Sequence, residues 1–412
     1  MLISKKNTIA SAALILCSMS TLAQAQTNVV VYGKLFPQIN RYSLSGATPT
    51  TLPVSQRSTL TSTPTGAADI SGLAMESSNS KLGVRGTEDL GNGMKATFQL
   101  LMQLEVSDGT VSSNLWSQDT YVGLTGGFGS VKFGRLDTVY KQIGDTMSFL
   151  GISSGNFVSG SNVLSKQGFG TSNTHRFHER FNNQIYYESP EIGGFQGAIS
   201  YSLGEIPGDV RKSSAVSLGV TYTAGQVYLA LAHEQHNDFF GASRNVPTAI
   251  SNTTIGTNNN RGTPAPGMRS TDTASRATAQ YKFTPSTRAE VNFAHMVLKE
   301  TGGAAGRFQN YEHNTWSVGA QHKMAQLTFQ GLYGVSGEGS CSLVGSVACS
   351  TSGIKANMLS LGTSYALSKR TNLFMIYTKM NNDVNAAFAN GDQRPALGQD
   401  TAQFAIGIDH NF

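Results

Sequence analysis

Residues 94–106 read MKATFQLLMQLEV. Every even position is apolar: Met94, Ala96, Phe98, Leu100, Met102, Leu104 and Val106. The odd positions are Lys95, Thr97, Gln99, Leu101, Gln103 and Glu105. A period of two is the signature of a strand with one apolar face. At strand rise the stretch spans about 40 Å, whereas a typical globular strand holds about 5–6 residues. That length suits a tilted strand crossing a bilayer in about 9–11 residues and continuing above it.

The same alternation recurs along the chain. Val216, Leu218, Val220 and Tyr222 form one such face, as do Ala277, Ala279, Tyr281 and Phe283. Leu327, Phe329, Gly331, Tyr333 and Val335 form another, and Phe404, Ile406, Ile408, His410 and Phe412 close the chain with the last. Between the strands, seven short connections (Asp89–Gly93, Gly126–Gly129, Pro190–Gly194, Ala224–Gln226, Thr284–Ser286, Met324–Gln326 and Leu367–Arg370) alternate with eight long ones. The long ones cover about 41–77, 107–117, 137–182, 204–214, 236–275, 300–313, 338–355 and 381–400. Fifteen connections imply sixteen strands. An even strand number, with short turns at one end and long loops at the other, predicts an all-β, 16-stranded antiparallel transmembrane barrel. A soluble sandwich has no reason to sort its loops in this way.

Composition agrees. Of 412 residues only 13% are charged, and the formal charge is +5 with no basic run longer than two, so nucleic acid is not an expected partner. The first 25 residues read as a signal peptide: Lys5 and Lys6, an apolar run from Ile9 to Cys17, and a small-x-small site at Ala23-Gln24-Ala25. Residues 26–412 then form one barrel domain, with no apolar stretch long enough for a spanning helix. Cys341 and Cys349, eight positions apart in a Gly/Ser-rich loop of an exported chain, are expected to form a disulfide.

Catalytic and metal-binding patterns are absent. His233-Glu234-Gln235-His236 lacks the spacing and the helix of a zinc motif, and no G-x-S-x-G occurs. The expectation is no enzyme activity, no cofactor and no metal. The longest connection, 137–182, is the informative one, because loops beyond about 12–15 residues usually have a task. A 16-stranded barrel holds an aqueous channel, and this connection can fold into the lumen and narrow it. From Thr138 to His178 its one acidic residue is Asp145. Such a loop facing a basic wall favours anions.

Several motifs in order resemble one family. They are Val31-Tyr32-Gly33-Lys34, Ser80 to Gly91 (SKLGVRGTEDLG), Tyr121-Val122-Gly123-Leu124, Gly127-Phe128-Gly129, Phe133-Gly134-Arg135, Asn182 to Tyr187, Leu367 to Thr371, and the terminal Phe412. From Val29 to Phe412 the chain resembles the trimeric general-diffusion porins of the Gram-negative outer membrane, most of all the β-proteobacterial type. The resemblance implies an eyelet where the third long loop meets a ladder of basic residues. Lys34, Lys81, Arg85, Arg135 and Arg180 stand at ladder positions, with Asp137 and Asp145 as the loop's acids. Gln118 occupies a position where some anion-selective relatives carry Arg, so the expected anion preference is mild. The resemblance further implies a homotrimer in outer-membrane lipid, a passive path for small hydrophilic solutes and ions, and Phe412 as the signal read by the barrel-assembly machinery. The alternatives are a substrate-specific channel of the same fold and a secreted all-β adhesin.

Overall fold

The computed structural model describes residues 28–77, 79–111, 114–144, 147–152, 156–169, 177–204, 213–254 and 263–412. Asp145 and residues 1–25, which the sequence suggests are a signal peptide, lie outside these residues. The described chain is a closed antiparallel barrel of sixteen staves. Its strands are β1 (Asn28–Leu35 and Gln38–Ser45), β2 (Ile70–Glu76 and Lys81–Gly91), β3 (Met94–Gln103), β4 (Thr120–Gly126), β5 (Gly129–Asp137), β6 (Arg180–Glu188), β7 (Phe195–Leu203) and β8 (Ser214–Ala224). They continue as β9 (Val227–Asn237), β10 (Arg269–Thr284), β11 (Thr287–Thr301), β12 (Phe308–Met324), β13 (Leu327–Ser336), β14 (Ala356–Ala366), β15 (Thr371–Asn382) and β16 (Asp400–Asn411). Each pairs with its chain neighbours, and β16 closes on β1 from Lys34↔Asn411 to Ser45↔Asp400. Two short helices, α1 (Val139–Gly144) and α2 (Ser161–Leu164), lie in the connection between β5 and β6.

Local chemistry sets the breaks and turns. β1 is interrupted at Phe36-Pro37, where proline has no N–H to give to the ladder. The Phe36 N–H there donates to Ser80 Oγ at 2.8 Å, in the matching gap of β2. The β2–β3 turn holds Gly91 at φ +81° and Gly93 at φ +77°, a region closed to most side chains. The Asp89 carboxylate accepts from the Gly91 N–H at 2.8 Å. One expectation needs correcting here. β3 ends at Gln103, so Leu104 and Val106 leave the strand despite their alternation. Leu104 bridges to Val111, and the Glu105 N–H donates to Thr110 O at 2.8 Å, because a tight turn ending at Gly109 (φ +76°) folds this segment on itself. Elsewhere strands run further out than the alternation showed: β1 reaches Ser45, and β10 begins at Arg269.

Alternation delivers an inside-out molecule. The outward face is apolar and exposed, as at Val122 (59%), Leu231 (60%) and Val291 (53%), whereas inward-facing Glu234, Asp272 and Glu300 are fully buried. A water-soluble protein hides the first set; a barrel in a membrane turns it to lipid. The upper edge of the belt is sharp on β9–β12. The outward row Leu231–Ala277–Phe293–Trp316 is followed one step up by His233–Ser275–His295–Asn314. His233 hydrogen-bonds Ser275, and His295 bonds Asn314, both at 2.8 Å. His236, three residues beyond His233, points inward against Glu234 at 2.9 Å, so the two histidines of that segment face opposite sides of the wall.

The long connections pack on the inner face. Leu60, Tyr140, Phe169, Phe177, Ala242, Val246 and Ile354 come from four connections. They form one buried cluster with the wall residues Ala232, Ala274, Met296, Leu298, Phe308 and Tyr311. Cys341 and Cys349 are bonded to each other, with Cα atoms 5.7 Å apart, and pack against the same cluster.

Candidate functional site: a charged arc on the inner wall

Described residues of the 138–179 connection contact inward-facing side chains of several strands. The Tyr140 N–H donates to Ser217 Oγ on β8 at 2.8 Å, and the Tyr228 hydroxyl of β9 donates to Ile143 O at 3.0 Å. The Leu150 N–H donates to Gln330 Oε1 on β13 at 2.8 Å, and Asn156 Nδ2 donates to Gln38 Oε1 on β1 at 3.2 Å. Glycine makes the close approach possible. A Cβ on Gly219 would sit 2.3 Å from the Ile143 side chain, and one on Gly362 would sit 2.7 Å from the Phe149 ring.

Opposite this connection, β1–β6 carry most of the residues the sequence pointed to. Lys34 and Lys81 are direct cross-strand partners. Lys34 Nζ lies 3.5 Å from Asp409 on β16 and donates to Gly151 O at 3.2 Å. It thus ties the closing seam of the barrel to the 138–179 connection. Lys81 has no carboxylate or hydrogen-bond partner among the described residues. Arg85 lies on the same face four residues nearer the short-turn end, a displacement of about 13 Å along the strand. Its guanidinium sits 4.6 Å over the Tyr32 ring.

At the root of the long connection β6 bulges. Asn182 and Asn183 together stand opposite Arg135, and Asn183 has φ +52°. Bulges re-aim side chains where a wall ends, and here several charged groups are gathered. Arg135 Nε donates to Ser117 O at 2.9 Å, and its Nη1 donates to Asn182 Oδ1 at 2.5 Å. Arg180 is held between two carboxylates: Nε lies 2.5 Å from Asp119 Oδ1, and Nη2 lies 2.8 Å from Asp137 Oδ1. Asp137 also meets Lys141 at 2.9 Å.

This geometry divides the basic residues gathered here. Lys34, Lys141 and Arg180 are neutralised by carboxylates in contact, whereas Lys81, Arg85 and Arg135 have none among the described residues. Asp137 acts as a clamp for Arg180 and Lys141 and not as a free loop acid. Three charged residues were missed in the sequence: Asp119, Asp409 and Lys132. Lys132 lies 5.4 Å from the ring centroids of both Tyr121 and Tyr186. Parity alone places Asp119 on the face of Tyr121, but its pairing with Arg180 depends on the bulge, which has no sequence signature. Glu76 also faces the interior and accepts from Gln38 Nε2 at 2.7 Å and Asn40 Nδ2 at 2.8 Å. Among the described residues no group of three or more His, Cys, Asp or Glu side chains is placed to hold a metal ion.

Comparison with known proteins agrees with this architecture. A family model described as Gram-negative porin matches residues 10–385. Major outer membrane protein P.IB of Neisseria meningitidis (serogroup A) is 30% identical over 161 residues, covering 39% of this chain and 44% of that one. The corresponding protein of Neisseria gonorrhoeae is 34% identical over 161 residues, 39% of each. The chain thus spans about two-fifths of the length of the curated relatives it matches. Among solved structures, the anion-selective porin from Comamonas acidovorans superposes with a TM-score of 0.66 at 20% identity, over 94% of this chain and 100% of that one. The trimer form of OmpT from Vibrio cholerae superposes with a TM-score of 0.60 at 15% identity, over 94% of this chain and 99% of that one.

Proposed function

The chain belongs to the Gram-negative porins, proteins of the outer membrane rather than enzymes, and from that premise we propose that it is a water-filled channel for passive diffusion of small hydrophilic solutes and ions, with a mild preference for anions. One observation carries the preference. On β1–β6, Lys81, Arg85, Lys132 and Arg135 have no carboxylate in contact among the described residues, while Asp119, Asp137 and Asp409 are each held by a cation and Glu76 by the amides of Gln38 and Asn40. Unpaired cations along a narrow path lower the entry barrier for anions.

The connection narrows the lumen: its hydrogen bonds to inward side chains of β1, β8, β9 and β13 support an inward course. Residues 1–25 act as a cleaved export signal. The protein works as a homotrimer, a reading supported by the family and by the trimeric neighbour. Phe412 marks the strand for the assembly machinery. Its backbone exchanges hydrogen bonds with Gly33 at 3.0 and 3.1 Å, and its ring covers the Gly33 backbone at the closing seam.

The test is reconstitution of detergent-extracted protein into a planar bilayer, followed by the reversal potential in a KCl gradient. The expectation is conductance in groups of three steps, with chloride passing more readily than potassium. Cation preference would refute the charge reading while leaving the channel intact. A folded, heat-modifiable protein that conducts nothing would refute the channel.

A further inference from the structure

Two cations of the arc differ from the rest. Arg85 and Lys132 make no hydrogen bond and no ion pair within the described protein, yet neither is loose, because each is seated on tyrosine rings. The seats are built in. Gly83 has no Cβ, and one placed there would lie 2.8 Å from the Tyr32 ring, so the ring lies flat on the wall and carries Arg85 at 4.6 Å. Across the arc, a Cβ on Gly123 would lie 3.1 Å from Lys132 Cγ. The missing atom lets the lysine stem cross β4 and set its ammonium at 5.4 Å from both Tyr121 and Tyr186. Register places the groups together: Arg85, Gln99 and Tyr121 form one cross-strand row, and Lys132 lies one step nearer the short-turn end.

We propose that Arg85, Lys132, Tyr32 and Tyr121 form a binding station for small aromatic carboxylates, on the short-turn side of the narrow region. The inference rests on the channel reading and deepens it. A guanidinium with one face on a ring presents its other face to a planar solute and its N–H edge to a carboxylate. The Lys132 ammonium supplies a second, freely rotating donor for the same carboxylate. A solute carrying both a flat ring and a negative charge uses every feature of the site, whereas chloride or acetate uses only the charge. Tyr32, Tyr121 and Tyr186 are positioning residues, holding cations that would otherwise swing through the lumen. Cation–ring contacts at an exposed site are worth a few-fold in affinity.

The experiment is current block of the reconstituted full-length channel by benzoate, with cyclohexanecarboxylate as the probe of equal charge and similar size but no π face. The expected half-saturation for benzoate lies about five-fold or more below that for cyclohexanecarboxylate. Lys132→Gln weakens block by both acids, and Arg85→Gln removes most of the difference between them. Tyr32→Leu does the same, whereas Tyr32→Phe, which keeps the ring, restores it. A general loss of packing would not distinguish the last two. Equal half-saturation for the two acids in the unaltered channel overturns the proposal. So does benzoate block that survives in the double Arg85→Gln, Lys132→Gln variant. Loss of the station alone leaves a conducting channel without the aromatic preference; failure of the channel reading leaves no conductance at all.

Discussion

The two sides of the barrel obey the same alternation and do opposite things with it. On β1–β6 the inward positions are occupied by Lys34, Lys81, Arg85, Lys132 and the carboxylates beside them. On β9–β12 they become Ala232, Ala274, Met296, Leu298, Phe308 and Tyr311, all buried and packed with Leu60, Phe169, Phe177, Ala242 and Val246 from the long connections. The staves differ too. β10, β11 and β12 have 16, 15 and 17 residues, against 9 each for β6 and β7. Where loops come to rest, the inner face carries an apolar cluster beside the buried, hydrogen-bonded Glu234, Asp272 and Glu300; where solutes are proposed to pass, it is a row of charges. A barrel interior is therefore apolar only where a partner surface packs on it, and charges buried there are held by hydrogen bonds.

The largest expected effect comes from making the packed side resemble the charged side. Leu298 is 1% exposed, and its cross-strand neighbour is Asp272. Leu298→Asp buries an unpaired charge beside another carboxylate, at a cost of about 3–5 kcal/mol. The loops should release while the lipid-facing barrel persists. Limited trypsin digestion of reconstituted protein should then cut after Arg57 and Arg244 at least ten-fold faster. An unchanged digestion rate would show that the cluster does not hold the loops. Next in size is the disulfide. In the chain-entropy view a loop this short contributes about 2–3 kcal/mol, and here the contribution is local. The Thr59 N–H donates to Ser350 O at 2.8 Å, so the bonded hairpin also anchors the 46–69 connection. Replacing Cys341 and Cys349 by serine should expose Arg57 to trypsin without moving the reversal potential. A shifted reversal potential would mean that the packed side governs permeation.

How much of this contrast was readable in advance depended on distance along the chain. The sixteen strands followed from a period of two and from the sorting of short and long connections, both local properties. Motif and parity put Lys34, Lys81 and Arg85 forward as ladder candidates, and register makes the first two direct cross-strand partners. What stayed hidden was set by partners far apart in sequence. Asp409 meets Lys34 only because the first and last strands close the barrel, and Asp119 meets Arg180 only because β6 bulges at Asn182-Asn183. Leu104 and Val106 misled in the other direction. Their alternation continued the strand, but a turn at Gly109 claimed the backbone. The inward Met296 and Leu298 of β11 were equally out of reach, since they need a partner surface supplied by four distant connections.

The charged side is sharpened by two substitutions of opposite sign. Lys81→Glu changes a cation with no carboxylate partner among the described residues into an anion on the proposed path. An interaction of about 1 kcal/mol between a passing ion and that wall corresponds to a roughly five-fold fall in the chloride-to-potassium permeability ratio. Asp119→Asn should act the other way and more weakly. It removes one of the two carboxylates at Arg180 but leaves Asp137, so the arginine is only partly released. The expected outcome is a rise of roughly two-fold in the same ratio in 0.1 M salt, fading in 1 M salt, where screening shortens to about 3 Å. The arginine stays tethered by Asp137, which in turn keeps Lys141, so the site's geometry should survive the change. If the ratio falls instead, Asp119 serves chiefly to aim Arg180 at the path, and the tethered cations, not the unpaired ones, carry the selectivity.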